Sequence, residues 1–275
     1  MKNISILGCG WLGFPLAKQL ASTGYNIKGS TTTEQKLSVL KESNISPYLI
    51  SLSPEDKEEK VLEEFLEDTD TLVICIPPRY RTFKDVERPA QQMQQLITVA
   101  REKGVKHILS CSSTAVYPSH NQLATEESPL LDNDHARMLL KAEDALTSSG
   151  IPTTIIRFGG LMGGQRILCK YLQHKEGLDD GKTPVNYIHQ EDAVNVLWTV
   201  IQQDIWGEIF NASAPEHPTR KELCQIQSEQ YDFQMPKFAQ EPTQTPYKVI
   251  DSSKLIENLP YTFIYADPRD FPYDL

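Results

Sequence analysis

No stretch of this 275-residue chain approaches the roughly 20 consecutive apolar residues of a membrane-spanning helix, so a helical membrane protein is not expected. Clusters of lysine and arginine are also missing. With 27 basic against 37 acidic residues the formal charge is -10, which repels nucleic acid and other long polyanions. That sign leaves a local phosphate site open, because aimed backbone N–H groups at a helix N-terminus bind phosphate without net positive charge. The five cysteines, Cys9, Cys75, Cys111, Cys169 and Cys224, form no C-x-x-C pair, and no histidine is spaced to share a zinc ion with them. They are read as free, buried thiols of a cytoplasmic protein, with no metal centre. Residues 4–9 imitate a lipoprotein cleavage site, but the apolar stretch before them is too short for a signal peptide. No internal repeat is found.

What is present is ordinary globular composition: 39% hydrophobic and 23% charged residues, enough apolar material for a real core. Single cores stop growing near roughly 250 to 300 residues, so one core with an annex is expected. A short β-branched run at residues 4–7 closes on Gly8, and apolar residues then recur with helical spacing over 12–20. Strand character returns at 25–28, giving a βαβ unit. A helix is predicted over 34–41, a third strand over 48–52 and a charged amphipathic helix over 55–67. The continuous apolar run 71–76, ended by Pro77-Pro78, predicts a strand buried on both faces. Helix 91–103, strand 107–110, helix 134–146 and strand 153–158 continue the alternation. Beyond residue 161 the pattern loosens, with a helix at 190–202 and a short strand at 209–210.

Such alternation predicts an α/β fold, a Rossmann-type doubly wound parallel sheet with helices on both faces and a small C-terminal α/β substrate lobe. The predicted division is a nucleotide-binding domain over 1–165, with 186–212 returning to its core, and a lobe made mostly of 166–275.

Gly8-Cys9-Gly10-Trp11-Leu12-Gly13 is a G-x-G-x-x-G directly after the first strand and opening the first helix. The first glycine permits the turn, the second lets backbone approach a pyrophosphate, and the third lets helix pack on strand. The motif predicts NAD(P) binding, with Gly8, Gly10, Trp11, Leu12 and Gly13 at the pyrophosphate. NAD-specific sites usually carry an acid after the second strand, which bonds the ribose 2'-hydroxyl. Here Gly29-Ser30-Thr31-Thr32-Thr33 stands instead, with no carboxylate to repel a 2'-phosphate. NADP is therefore the expected cofactor, with NAD the alternative, and Ser30, Thr31 and Thr32 are its candidate contacts, with Lys36 as a further one. The same hydroxyls could simply cap the following helix.

Four further motifs occur in order: Ser112-Ser113-Thr114-Ala115-Val116-Tyr117, Arg157-Phe158-Gly159-Gly160, Asn186-Tyr187-Ile188-His189-Gln190-Glu191-Asp192 and Gly207-Glu208-Ile209-Phe210-Asn211. On these the chain resembles an atypical extended short-chain dehydrogenase/reductase of the NAD-dependent epimerase/dehydratase family, over nearly its whole length and within it the YeeZ-like subgroup. The resemblance implies hydride-transfer chemistry on a nucleotide-sugar or other small carbonyl or alcohol substrate. In such enzymes a serine orients the substrate, a tyrosine moves its proton, and a lysine lowers the tyrosine's pKa and binds the ribose. Ser113 matches the serine and Ser112 a cofactor contact. Tyr117, set outward by its motif, is usually structural in the family.

The tyrosine and lysine should stand four apart, the lysine four before a glutamate that here corresponds to Glu143. Those positions hold His135 and Leu139. Leucine can do neither of the lysine's tasks, so the usual pair is missing from the pattern. His135 is the candidate general acid or base, although a histidine at a helix start also serves as a solvated cap. Arg137 and Lys141 are candidates for the missing charge or plain surface residues. Cys75-Ile76-Pro77-Pro78-Arg79-Tyr80 replaces a small-residue turn of the family, which makes Ile76, Pro77 and Pro78 candidate cofactor contacts. Arg166 offers a planar fork to an anionic substrate group, and Tyr187 is a second candidate substrate contact. His189 is read as structural. The alternative to an enzyme is a non-catalytic module that binds NADP and reports its redox state. A monomer or homodimer is expected, with a small-molecule substrate.

Overall fold

The computed structural model describes residues 2–52, 59–76, 85–240 and 245–274. Strands and helices alternate at first: β1 (Asn3–Leu7), α1 (Gly13–Ser22), β2 (Asn26–Thr31), α2 (Lys36–Glu42), β3 (Ser46–Leu49), α3 (Glu59–Leu66), β4 (Thr71–Ile74), α4 (Arg88–Glu102) and β5 (His107–Ser113). A short β6 (Gln122–Ala124) precedes α5 (Asp134–Thr147) and β7 (Thr153–Phe158). Then come β8 (Gly160–Met162), α6 (Leu168–Leu172), β9 (Glu176–Leu178), β10 (Tyr187–His189), α7 (Gln190–Gln202) and β11 (Ile209–Ala212). The chain closes with α8 (Arg220–Tyr231), β12 (Lys237–Phe238), β13 (Lys248–Ile250) and α9 (Ser253–Asn258).

Seven strands form one parallel sheet in the order β11-β7-β5-β4-β1-β2-β3. The chain runs outward from β1 through β2 to β3, then restarts at β4 on the other side of β1. Strand order thus reverses between β1 and β4, which is where open α/β sheets bind ligands at the carboxyl ends of their strands. β4 and β7 are buried along their whole length, as continuous apolar runs covered on both faces should be. β3 is the edge, and it carries Pro47, a residue tolerated there because an edge strand has an unneeded N–H side.

Most strand bounds differ from the sequence expectation, β4 ending at Ile74 instead of residue 76, with the largest shifts in β2, β3 and β5. β2 runs on to Thr31 because parallel pairing on both sides holds it, Ile6 against Gly29 and Ser30 against Tyr48. β3 begins at Ser46, set by its register on β2, so residues 50–52 leave the sheet. β5 extends to Ser113 instead of stopping at 110. The charged helix is described as Glu59–Leu66, and residues 53–58 lie outside the described set. α4 starts earlier than expected, with a proline in its first turn where the missing N–H costs nothing. α5 opens on an Asn133 side chain that accepts from Ala136 N–H at 2.9 Å, and α8 on a reciprocal capping box of Thr219 and Glu222.

The chain divides into two compact units. The first comprises residues 1–116, 130–157 and 197–209; the second comprises 117–129, 158–196 and 210–275. In the first, Leu72, Ile74, Leu96, Ile97, Ile108 and Ile155 sit at the centre of the core, sheet against helix. In the second, Leu168, Cys169, Val185, Leu223 and Cys224 make a smaller core. Three two-stranded parallel sheets, β10-β8, β12-β9 and β13-β6, belong to the second unit.

Several motif residues of the second unit are structural ties. Tyr117 is 1% exposed, contrary to the outward placement expected from its motif, and its hydroxyl donates to Asn211 Oδ1 at 2.9 Å. The buried Asp192 carboxylate accepts from the N–H groups of Ile264 and Tyr265 at 2.7 and 3.1 Å and from the Tyr261 hydroxyl. Asn186 donates to Lys248 O and accepts from Ile250 N–H. All five cysteines are free thiols; Cys9, Cys169 and Cys224 are buried, Cys75 and Cys111 partly exposed. No helix among the described residues is long and apolar enough to cross a membrane, and no group of three or more potential ligands there could hold a metal ion.

Candidate cofactor-binding site

The glycine turn leaves β1 and enters α1 under three separate constraints. Gly8 has φ +98, and a Cβ there would lie 2.9 Å from Ile76 Cγ2 and 3.1 Å from the Cys75 carbonyl. Gly13 starts α1 so close to the turn that a Cβ would stand 2.3 Å from Gly8 O. Gly10 differs, since a Cβ on it would meet nothing within 4 Å. Packing requires glycine at 8 and 13, whereas at 10 its small size leaves space open. That open space is what close approach of a pyrophosphate needs, with the first-turn N–H groups of a helix nearby as donors.

The end of β2 holds this turn in place. Ser30 Oγ accepts from Gly8 N–H at 2.9 Å, and Ser30 O accepts from Cys9 N–H at 2.7 Å. Ser30 is 2% exposed, so its side chain belongs to the scaffold of the turn. Thr31 is also buried, and its Oγ1 accepts from Thr33 N–H at 3.1 Å. Thr32, Thr33 and Lys36 are exposed.

These residues line a cleft of 280 Å³ within the first unit. Its wall includes Gly8 and Gly10 after β1, Ser30 to Thr33 and Lys36 after β2, and Ser51 and Leu52 after β3. Cys75 and Ile76 after β4 and Ser110, Cys111 and Ser112 of β5 continue it, and Met138, Leu139, Ala142 and Glu143 of α5 close one side. The cleft thus follows the carboxyl ends of five neighbouring strands across the point where their order reverses.

Below Ser112 lies a buried ion pair. Arg157 Nη2 donates to Glu143 Oε2 at 2.6 Å, its Nε lies 3.2 Å from both carboxylate oxygens, and the Ser112 hydroxyl donates to Glu143 Oε1. Both charged side chains are about one-twentieth exposed, at 5% and 6%. A bidentate arginine satisfies the carboxylate here, which an isolated buried charge would not tolerate. Burial, followed by the neighbouring Cys75, pushes the Cys9 thiol up to about 12, so it stays protonated at neutral pH.

Of the residues predicted from sequence for the cofactor, Gly8, Gly10, Ser30, Thr31, Thr32, Ile76 and Ser112 come together on this cleft. Trp11 and Leu12 complete the turn and Gly13 begins α1. Pro77 and Pro78 lie outside the described residues. Ser113 ends β5, and its Oγ accepts from Ala115 N–H at 3.1 Å. His135 sits in the first turn of α5, half-buried, one turn before Leu139, which does line the cleft. Arg166 and Tyr187 belong to the second unit. Arg166 forms an isolated bridge to Gly163, and Tyr187 lies in β10 against Gly160, with burial pushing its hydroxyl up to about 12.

Sequence reading missed the contribution of α4, whose Arg88, Gln92 and Met93 line the cleft, and of Ser51 and Leu52. Gln92 donates to Leu52 O, tying these two walls together. No local signal marks them, because the contact exists only once β3 and α4 are packed.

A sequence model of the NAD(P)H-binding family matches residues 8–204. Protein YeeZ of Escherichia coli strain K12 is 31% identical over 276 residues, covering all of both chains. Among solved structures, the UDP-Glc/GlcNAc 4-epimerase of Campylobacter jejuni superposes with a TM-score of 0.79 at 17% identity, covering 98% of this chain and 96% of that one. UDP-glucose 4-epimerase of Bifidobacterium longum, in complex with NAD+ and UDP, gives 0.80 at 16% identity, with the same 98% and 96% coverage. These two share the fold with the present chain. Family match, full-length relative and Rossmann-type sheet agree: this chain belongs to the NAD(P)H-binding family, as a relative of YeeZ with an epimerase/dehydratase-like fold.

Proposed function

We propose that the chain binds NADP in the first-unit cleft and acts as an oxidoreductase or epimerase-like enzyme on a nucleotide-sugar or other small carbonyl or alcohol substrate. The observation that carries the cofactor half is the run of Gly10, Thr31, Thr32, Thr33 and Lys36 along one wall of the cleft, with no carboxylate among them. Gly10 leaves room for the pyrophosphate, and the exposed threonines and Lys36 offer donors to a 2'-phosphate. A bound nicotinamide supplies a site that accepts or donates hydride. Ser113 then orients the substrate oxygen, and His135 takes or returns its proton at an imidazole nitrogen. Arg166 and Tyr187 are proposed for the substrate's anionic part.

The test is titration of purified protein with all four nicotinamide dinucleotides. NADPH is expected to bind more tightly than NADH, and Lys36→Ala to remove most of that preference, since one charge-assisted contact is worth about 1.5 to 3 kcal/mol. Equal binding of NADPH and NADH by the unaltered protein sinks the NADP assignment. For the enzyme half, turnover on a carbonyl and nucleotide-sugar panel should fall in Ser113→Ala and His135→Asn while NADPH binding persists.

One observation favours a second reading, a non-catalytic NADP-binding module. Leu139, which the sequence resemblance sets at the family's lysine position, lines the cleft, and α5 contains no tyrosine. A module of this kind shows state-selective binding of NADP or NADPH without turnover on any substrate of the panel.

A further inference from the structure

Cys75 and Cys111 stand side by side on the cleft wall. Their Sγ atoms are 3.6 Å apart. β4 and β5 pair in parallel with Ile74 opposite Ser110, so the next register position sets Cys75 opposite Cys111. Neighbouring strands lie about 4.7 to 4.9 Å apart, and disulfide-bonded Cα atoms are found about 4.4 to 6.8 Å apart. Closing the sulfurs from 3.6 Å to about 2.05 Å is a short movement at that strand spacing. Both residues are partly exposed and both line the cleft, Cys75 beside Gly8.

The second unit holds a contrasting pair. Cys169 and Cys224 are also hydrogen-bonded to each other, but both are 0% exposed inside an apolar core. Oxidant from solvent has no path to them comparable to the open cleft at Cys75 and Cys111.

We infer that Cys75 and Cys111 form a reversible disulfide under peroxide, and that a dinucleotide occupying the cleft shields them from it. The oxidant is hydrogen peroxide or an organic hydroperoxide. One thiol attacks the peroxide oxygen, the O–O bond breaks, and a sulfenic acid forms with release of water or alcohol. The second sulfur attacks the sulfenic sulfur, the S–O bond breaks, and the thiol proton leaves with the hydroxyl as water. Two thiols are oxidised and one peroxide is reduced. Contact with Cys111 and burial push the Cys75 thiol well above its ordinary range and make it the poorer first nucleophile, so Cys75 is the sulfur that attacks second and gives up its proton in that step. Reduction by a dithiol restores both thiols. The shielding half rests on the proposed cofactor site; the disulfide half does not.

The full-length protein treated with hydrogen peroxide should lose about 2 Da by intact mass, the two thiol hydrogens, and regain them with dithiothreitol. Peptide mapping without reductant should join the Cys75 and Cys111 peptides. Cys75→Ser and Cys111→Ser should each abolish the loss while retaining the wild-type melting profile. NADPH at about ten times its Kd should slow the cross-link about tenfold, in proportion to the unliganded fraction. No loss of mass, or a cross-link mapped to Cys9 or to Cys169 and Cys224, overturns the inference without touching the cofactor reading. A cross-link that forms equally fast in protein shown by titration to be saturated with NADPH overturns the shielding. A cross-link in protein that titrates with no dinucleotide supports the thiol pair and overturns the proposed function instead.

Discussion

Ser30 and Gly8 are joined by a 2.9 Å hydrogen bond in which the serine hydroxyl accepts from the glycine N–H, across 22 positions of sequence. The first glycine of the turn is thereby pinned to the end of the neighbouring strand. Its N–H is removed from the set that could meet phosphate, and the turn is rigid before any ligand arrives. Ser30→Ala strands this N–H in a partly buried place, which costs about 1 to 3 kcal/mol. Urea unfolding should show that loss, and NADPH titration should show weaker binding, because the turn has to be ordered at binding. Ser30→Ala with unchanged stability and unchanged Kd would contradict this account.

Gly8→Ala and Gly10→Ala should fail in different ways. At Gly8 the positive φ and the 2.9 to 3.1 Å contacts make alanine cost about 1 to 3 kcal/mol, read as a fall in Tm. At Gly10 nothing opposes the methyl group, so Tm should hold while NADPH binding weakens by about tenfold or more, or about 1.4 kcal/mol. Equal effects on Tm would show that the open space at Gly10 has another cause.

The Glu143 carboxylate should tolerate neutralisation better than desertion. Arg157→Met leaves a buried carboxylate with only the Ser112 hydroxyl, and removal of one partner of such a pair costs about 3 to 5 kcal/mol. Combining Arg157→Met with Glu143→Leu should recover a large part of that loss. Equilibrium unfolding of the three variants, as a double-mutant cycle, measures the recovery. A double variant no more stable than Arg157→Met would refute it.

Acid should loosen the second unit at His189. This imidazole is 7% exposed, donates through Nε2 to Pro272 O at 3.3 Å and accepts at Nδ1 from Glu191 N–H at 3.3 Å. The rings of Tyr265 and Phe271 pack on it. Burial lowers its pKa below 6.5, outweighing the Pro272 contact and the carboxylates of Asp192, Glu191 and Asp274, which pull it up. A histidine lowered on folding contributes its full stability above 6.5 and loses it as pH falls from there toward the folded value. Tm should therefore decline as pH falls below 6.5, and His189→Gln should flatten that decline. An identical slope in both proteins would assign it to other groups.

The main sheet was legible because its signals are local and strong. The continuous apolar run 71–76 yielded a fully buried strand over 71–74, two residues shorter than the run, and helix 190–202 has the bounds its spacing predicts. The small strands of the second unit were not legible, since two or three residues such as Lys237–Phe238 carry no periodicity to read. At the site, the glycine turn could be read because each glycine answers a steric demand. The burial of Ser30 could not, because it follows from how far β2 extends in its pairing with β3. His135 and Leu139 share a helix face at four-residue spacing, yet the cleft reaches Leu139 and stops short of His135, a limit set by tertiary packing.

The interleaving of the two units has a temporal consequence during synthesis. The nucleotide-binding unit draws its last segment from residues 197–209, so a nascent chain ending at 157 lacks a structural part of it. Ribosomes add roughly 5 to 20 residues each second, and early-made apolar surface has to wait for that segment. A gene truncated after residue 165 should therefore yield insoluble protein, while extension past 209 restores the missing part of the first core.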